Sequence, residues 1–163
     1  MSSITRGFVW AALVVLCTDC SVKRFAVNRL GDALAGSGTV YAADDDPDLV
    51  GQALPFSLKL VEGLAAESPE HRGLLLAAAS GFTAYGHAYV QQNADEIESL
   101  SLDRATALRN RARRLYLRAR DYGLRGLETR HRGMSKALVS GPVAAAQVAQ
   151  LEDVPMLYWT AAA

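Results

Sequence analysis

Two cysteines, Cys17 and Cys20, are the first residues along the chain that could do chemistry, and the order Cys17-Thr18-Asp19-Cys20 is compatible with redox exchange, metal binding or acylation. A redox or metal pair needs a folded scaffold that lowers a thiol pKa, commonly at a helix N-terminus. Here the pair instead closes an uncharged apolar run of eleven residues, Gly7 to Cys17, which follows Arg6. Such a run falls well short of the roughly 20 residues a membrane-spanning helix needs. It has the make-up of an export signal, so residues 1–19 read as a lipoprotein signal peptide and Cys20 as the lipid-attachment residue. Asp19 and Cys17 depart from the small and aliphatic residues that usually precede an acylated cysteine.

The other reactive side chains do not assemble into a recognisable centre. His71, His87 and His131 are scattered rather than set at ligand spacing, so no metal is expected. His87, between Tyr85 and Tyr89, reads first as a partly buried, hydrogen-bonded histidine of a packed face and second as part of a pocket wall. Phe82, Tyr85, Tyr89 and Trp159 carry the same pair of readings, core first and wall of an apolar cavity second. Phosphate loops, HExxH, GxSxG and calcium-loop spacings are absent, so neither catalytic residues nor a cofactor is expected.

Charge is the next signal. The 163 residues hold 17 basic and 17 acidic groups, but they are segregated. Residues 32–103 carry twelve acids against Lys59 and Arg72, a net of minus ten, whereas residues 104–132 carry ten arginines against Asp121 and Glu128, a net of plus eight. An exported protein meets no nucleic acid, and no zinc, recognition-helix or aromatic-basic signature accompanies the arginines. Long arginine stems covering an apolar flank, with heads turned to solvent, acids or a partner, explain them better. Arg111, Arg114, Arg118 and Arg125 are the candidates for a partner-facing surface.

The elements that must position these residues are all helical. Residues 20–45 suit a lipidated tether, with a short helix and the flexible Gly36-Ser37-Gly38. Asp46 followed by Pro47 is a helix start, with an apolar stripe at Val50, Leu54, Leu58, Val61 and Leu64 or Ala65. Pro55 predicts a kink, or a helix that effectively begins near it. Ser68-Pro69-Glu70 ends that helix and starts another, which is apolar on every side from Leu74 to Ala79 and therefore central. Ser101 opens a third, with Leu102, Ala105, Leu108, Ala112, Leu115, Ala119, Tyr122 and Gly126 three or four apart. A weaker fourth over Ser135 to Leu151 breaks at Gly141-Pro142, and Asp153-Val154-Pro155 starts a final apolar helix with no end signal. The expected fold is all-α: antiparallel helix pairs stacked as a tetratricopeptide-like α-solenoid over residues 46–163, truncated at its C-terminal end.

Several stretches go beyond pattern: Cys20-Ser21-Val22-Lys23-Arg24, Ala43-Asp44-Asp45-Asp46-Pro47-Asp48-Leu49-Val50, Gly73-Leu74-Leu75-Leu76-Ala77-Ala78-Ala79-Ser80-Gly81-Phe82, Ala112-Arg113-Arg114-Leu115-Tyr116 and Asp153-Val154-Pro155-Met156-Leu157-Tyr158-Trp159. In this order they resemble the T-component family of tripartite ATP-independent periplasmic (TRAP) transporters, known as TatT. The resemblance implies a periplasmic helical protein, lipid-anchored to a bacterial membrane through Cys20, that associates with the transporter's substrate-binding component (P-component) and holds or passes a small, hydrophobic ligand. It brings no catalytic residues. A homo-oligomer stays open. The alternatives are a structural lipoprotein that scaffolds envelope assembly, and an enzyme whose catalytic residues lie beyond this chain.

Overall fold

The structure is a computed structural model that describes residues 25–36 and 38–163, so the signal-peptide and Cys20 readings lie outside the described residues. Among the described residues every regular element is helical and no strand occurs, which agrees with the all-α expectation. The segment read as a tether contains α1 (residues 25–35) and α2 (Gly38–Ala42).

Helix α3 (Pro47–Glu67) starts where its sequence predicts: the Asp46 carboxylate accepts the Leu49 N–H at 2.9 Å, Pro47 occupies the first turn and Asp48 adds negative charge there. It runs on through Pro55, so a helix beginning near Pro55 is excluded. A proline inside a helix costs about 3 kcal/mol. That cost is met locally, because Val50 is buried, and the Tyr89 hydroxyl donates to the Pro47 carbonyl at 2.8 Å and pins the first turn.

Helix α4 (Arg72–Tyr85) is capped by His71, whose Nδ1 accepts the Leu74 N–H at 3.2 Å, rather than by the Ser68-Pro69-Glu70 turn before it. It continues through a π-helical turn (Gly86–Gln91) into α5 (Gln92–Ile97) and ends within the polar stretch 91–98. Leu74, Ala78, Phe82, Gly86, Val90 and Ala94, all buried and each four residues from the last, form a single row along this rod. Helix α6 (Leu102–Glu128) returns antiparallel to it, as Arg109 meets Glu98, Tyr116 meets Gln91 and Tyr122 stacks on Phe82.

The buried side of α6 is made of Ala105, Ala112, Ala119, Gly123 and Gly126, so its neighbours approach closely. Beyond Gly133, whose φ of 85° requires glycine, lie α7 (Met134–Ser140), α8 (Pro142–Ala146), a single 3₁₀ turn (Leu151–Asp153) and α9 (Val154–Ala162). Glu128 accepts the Gly133 and Ser135 N–H groups at 2.7 and 2.8 Å and so organises that corner. The core has two parts. Leu58, Val61, Leu74, Ala78, Phe82 and Ala119 join α3, α4 and α6, while Leu75, Leu127, Met134, Ala145 and Met156 join α4 and α6 to α7, α8 and α9. Helix α4 contributes to both and is the central helix its all-round apolarity predicts. Among the described residues no helix is long and apolar enough to cross a membrane.

Candidate functional site

Helices α3 and α4 diverge just enough to leave a cavity of about 300 Å³, at the small end of small-molecule sites. Leu54, Ser57 and Leu58 of α3 face Ala77, Ser80 and Gly81 of α4 across it. Tyr89 of the π-helical turn, Tyr41 of α2, Leu34 of α1 and Trp159 of α9 complete the wall. Gly81 gives the tip of the Leu58 side chain its room, since a Cβ there would make that tip shift. Among the described residues no charged side chain lines the space.

The polar side-chain groups among the described wall residues are four hydroxyls and the Trp159 indole N–H. Tyr41 Oη and Ser57 Oγ lie 2.6 Å apart, and Ser57 donates to the Ala53 carbonyl at 3.2 Å. Ser80 donates to the Ala77 carbonyl at 3.3 Å, and the Tyr89 hydroxyl is taken by Pro47. Sequence reasoning missed Tyr41, Ser57 and Ser80. The signal was present only as two serines interrupting apolar helix faces; nothing local marks Tyr41.

The aromatic residues singled out from sequence separate. Tyr89 and Trp159 line the cavity, whereas Phe82 is 3 % exposed and belongs to the core. Tyr85 is half-buried, stacks on Tyr89 at 5.6 Å and packs on the core edge. His87 is exposed and outside the cavity wall, so neither the packed-face nor the pocket reading holds for it. The π-helical turn buries Gly86 and Val90 and sends His87 to solvent.

On the opposite side, α6 presents its arginines over aromatic rings. Arg111 lies over Tyr85 at 5.8 Å, Arg118 over Phe82 at 5.2 Å and Arg125 over Tyr122 at 5.2 Å, so arginines seven residues apart each rest on a ring. Arg114 is exposed beside Arg118, Asp121 and Arg125. The Tyr122 hydroxyl donates to Glu62 at 3.1 Å, and burial, reinforced by that carboxylate, pushes its phenol up. Nearer the start of α6, Arg109 holds Asp95 and Glu98, both at 2.8 Å, and its guanidinium keeps the Glu98 carboxyl below the usual range.

A second feature escaped the sequence. Asp153, which reads as a start signal for the last helix, is fully buried. It accepts from Arg72 at 2.5 Å, from the Gln150 N–H at 2.9 Å, and lies 2.7 Å from the His131 ring. Burial alone would raise its carboxyl, but the Gln150 N–H, His131 and Arg72 together hold it well below the usual carboxylate range. This cluster ties the start of α4 and the end of α6 to the base of α9, and so fixes the helix that carries Trp159. His71 likewise serves structure, capping α4 and reaching the Asn28 carbonyl of α1 at 3.2 Å. Among the described residues no group of three or more His, Cys, Asp or Glu could hold a metal.

An uncharacterised protein of Treponema pallidum (strain Nichols) is 35% identical over 144 residues, which is 80% of this chain and 45% of that protein, so the chain spans about half the length of the relative it matches. The family model described as TRAP transporter T-component matches residues 43–163, from just before the Asp46 cap to the last residue of the chain. The chain therefore belongs to the TRAP transporter T-component family.

Proposed function

We propose that this accessory component of a TRAP transporter works as a binding scaffold rather than as an enzyme: a periplasmic protein, lipid-anchored at Cys20, that docks the transporter's substrate-binding component and holds a small apolar ligand between α3 and α4. The observation that carries the reading is the cavity itself, an apolar space walled by five helices and the π-helical turn, with no charged group among the described residues of its lining. A site of that composition binds by shape and burial; it has no nucleophile paired with a base. The antiparallel pairs α3 with α4 and the α4–α5 rod with α6 support a tetratricopeptide-like stack.

Docking is assigned to the α6 arginine face. Each of these guanidiniums spends one nitrogen inside the chain, Arg111 on the Tyr85 hydroxyl, Arg118 towards Glu62 and Arg125 on the Pro69 carbonyl, and has further in-plane N–H donors for carboxylates, which suits an acidic partner surface. The test is co-purification of the full chain from detergent-solubilised membranes. Recovery of a solute-binding protein, and transfer of a Cys20→Ser variant out of the membrane fraction, are expected. A chain that reaches the membrane without Cys20, or that brings down no solute-binding protein, overturns the reading in favour of a structural envelope scaffold.

A further inference from the structure

We propose that the cavity between α3 and α4 selects an uncharged amphiphile whose polar end is a hydroxyl, and that this hydroxyl donates its hydrogen to the Tyr41–Ser57 pair. The inference rests on the reading of that cavity as a ligand site and adds the chemistry of the ligand.

The direction of the hydroxyl hydrogens carries it. Ser57 has one hydrogen, and the Ala53 carbonyl at 3.2 Å takes it. The 2.6 Å contact between Ser57 Oγ and Tyr41 Oη can be donated from either side; with the Ser57 hydrogen on Ala53 it uses the hydrogen of Tyr41, the arrangement in which both hydroxyls donate. Ser80 and Tyr89 have likewise given theirs to the carbonyls of Ala77 and Pro47. The four hydroxyls among the described wall residues have spent their donors inside the protein and offer only lone pairs to a ligand. A group entering beside Tyr41 must bring its own hydrogen.

Charge is excluded by the same wall. A carboxylate would lose its hydration and find neither a cation nor a hydroxyl donor; the remaining side-chain donor in the lining is the neutral indole N–H of Trp159. An ammonium group would meet lone pairs but no counter-charge. The apolar remainder of the wall, contributed by Leu34, Leu54, Leu58 and Val61 among others, accepts an alkyl body.

Three probes of matched chain separate the possibilities: decanol, its methyl ether and decanoate, titrated near neutral pH into the full chain held in an amphipathic polymer, with the polymer alone as baseline. Decanol is expected to bind about fivefold more tightly than the ether, the worth of one net hydrogen bond. It is expected to exceed decanoate by more than about tenfold, since the ionised group is desolvated unpaired. Ser57→Ala removes the acceptor for Tyr41 and frees the Tyr41 hydrogen, so the preference for alcohol over ether should vanish while ether binding is kept. Alanine is a good helix former at this position, and Tyr41→Phe, which leaves the Ser57 oxygen as an acceptor with its hydrogen still on Ala53, should keep the preference and provides the contrasting second variant. Equal binding of decanol and decanoate, or an alcohol preference unchanged in Ser57→Ala, overturns this inference while leaving the cavity a ligand site. Failure of all three probes to bind, as would follow if another segment of the chain filled the space, overturns the ligand-site reading and this inference with it.

Discussion

Arg72, the first residue of α4, and Asp153, immediately before α9, meet at 2.5 Å across 81 residues of sequence, with the carboxylate fully buried and the guanidinium partly so. Removing the negative charge leaves Arg72 and His131 facing an uncharged group in a closed space. Asp153→Asn should therefore cost about 2 kcal/mol in denaturant unfolding, the penalty for stranding buried polar partners.

Acid should read the same contact. The Asp153 carboxyl is held below its ordinary value in the folded chain, so its contribution is fully present above the unfolded value of about 4 and is lost as pH falls below that, through the folded value. Unfolding free energies measured from neutral pH into the acid range should fall more steeply for the wild type than for Asp153→Asn. Parallel curves would show that the carboxylate does not carry the acid sensitivity.

Gly123 and Gly126 let α9 lie directly on α6, and the two should not respond alike to alanine. A Cβ at Gly126 would strike the flexible end of Met156, which can turn aside. A Cβ at Gly123 would strike Thr160, including its Cα at 3.2 Å, so the α9 backbone must move. Gly123→Ala is expected to destabilise by about 2 kcal/mol, an overpacking cost, and to weaken decanol binding by displacing Trp159. Gly126→Ala should lie within about 1 kcal/mol of wild type, because the gain in helix propensity offsets a side-chain rearrangement. Thermal unfolding and ligand titration of both variants check this.

Ala88 lines the cavity yet is exposed at its edge. Ala88→Phe should close the opening and abolish probe binding while shifting stability by no more than about 0.5 kcal/mol, the usual range for a surface change. A large loss of stability, or unchanged binding, would contradict the geometry given for the cavity.

The α6 face should behave as a surface and not as a strut. Arg118 is 47% exposed, so Arg118→Ala should cost no more than about 1 kcal/mol in unfolding, despite its ring and its approach to Glu62. Arg114→Glu with Arg118→Glu should instead reduce recovery of the solute-binding partner, most strongly at low salt, where charge complementarity is least screened. Undiminished recovery would move the docking surface elsewhere.

What was legible in the sequence is what acts over one or two helical turns. Asp46 with Pro47, the break at Gly141-Pro142 and the small-residue stripe of α6 each carry their cause within a few residues. Pro55 left two outcomes open, and the helix continues through it, with Val50 buried ahead of it and the Tyr89 hydroxyl holding the Pro47 carbonyl from 42 residues away. At Asp153 the helix start was legible, since α9 does begin at Val154 behind it, but nothing near it announces Arg72 or His131. The cavity was half legible. Tyr89 and Trp159 announce an aromatic wall, but Tyr41 faces Ser57 only after α2 folds back onto α3.

The π-helical turn also bears on where this chain can change length. Its hydrogen-bonding pattern absorbs one residue more than a regular α-helix would hold. Deleting His87, which is exposed, would bring Phe82, Gly86, Val90 and Ala94 to intervals of four, three and four, the ordinary rhythm of an amphipathic helix. The α5 residues would keep their seats against α6, so a one-residue deletion is better tolerated at this turn than elsewhere along the rod.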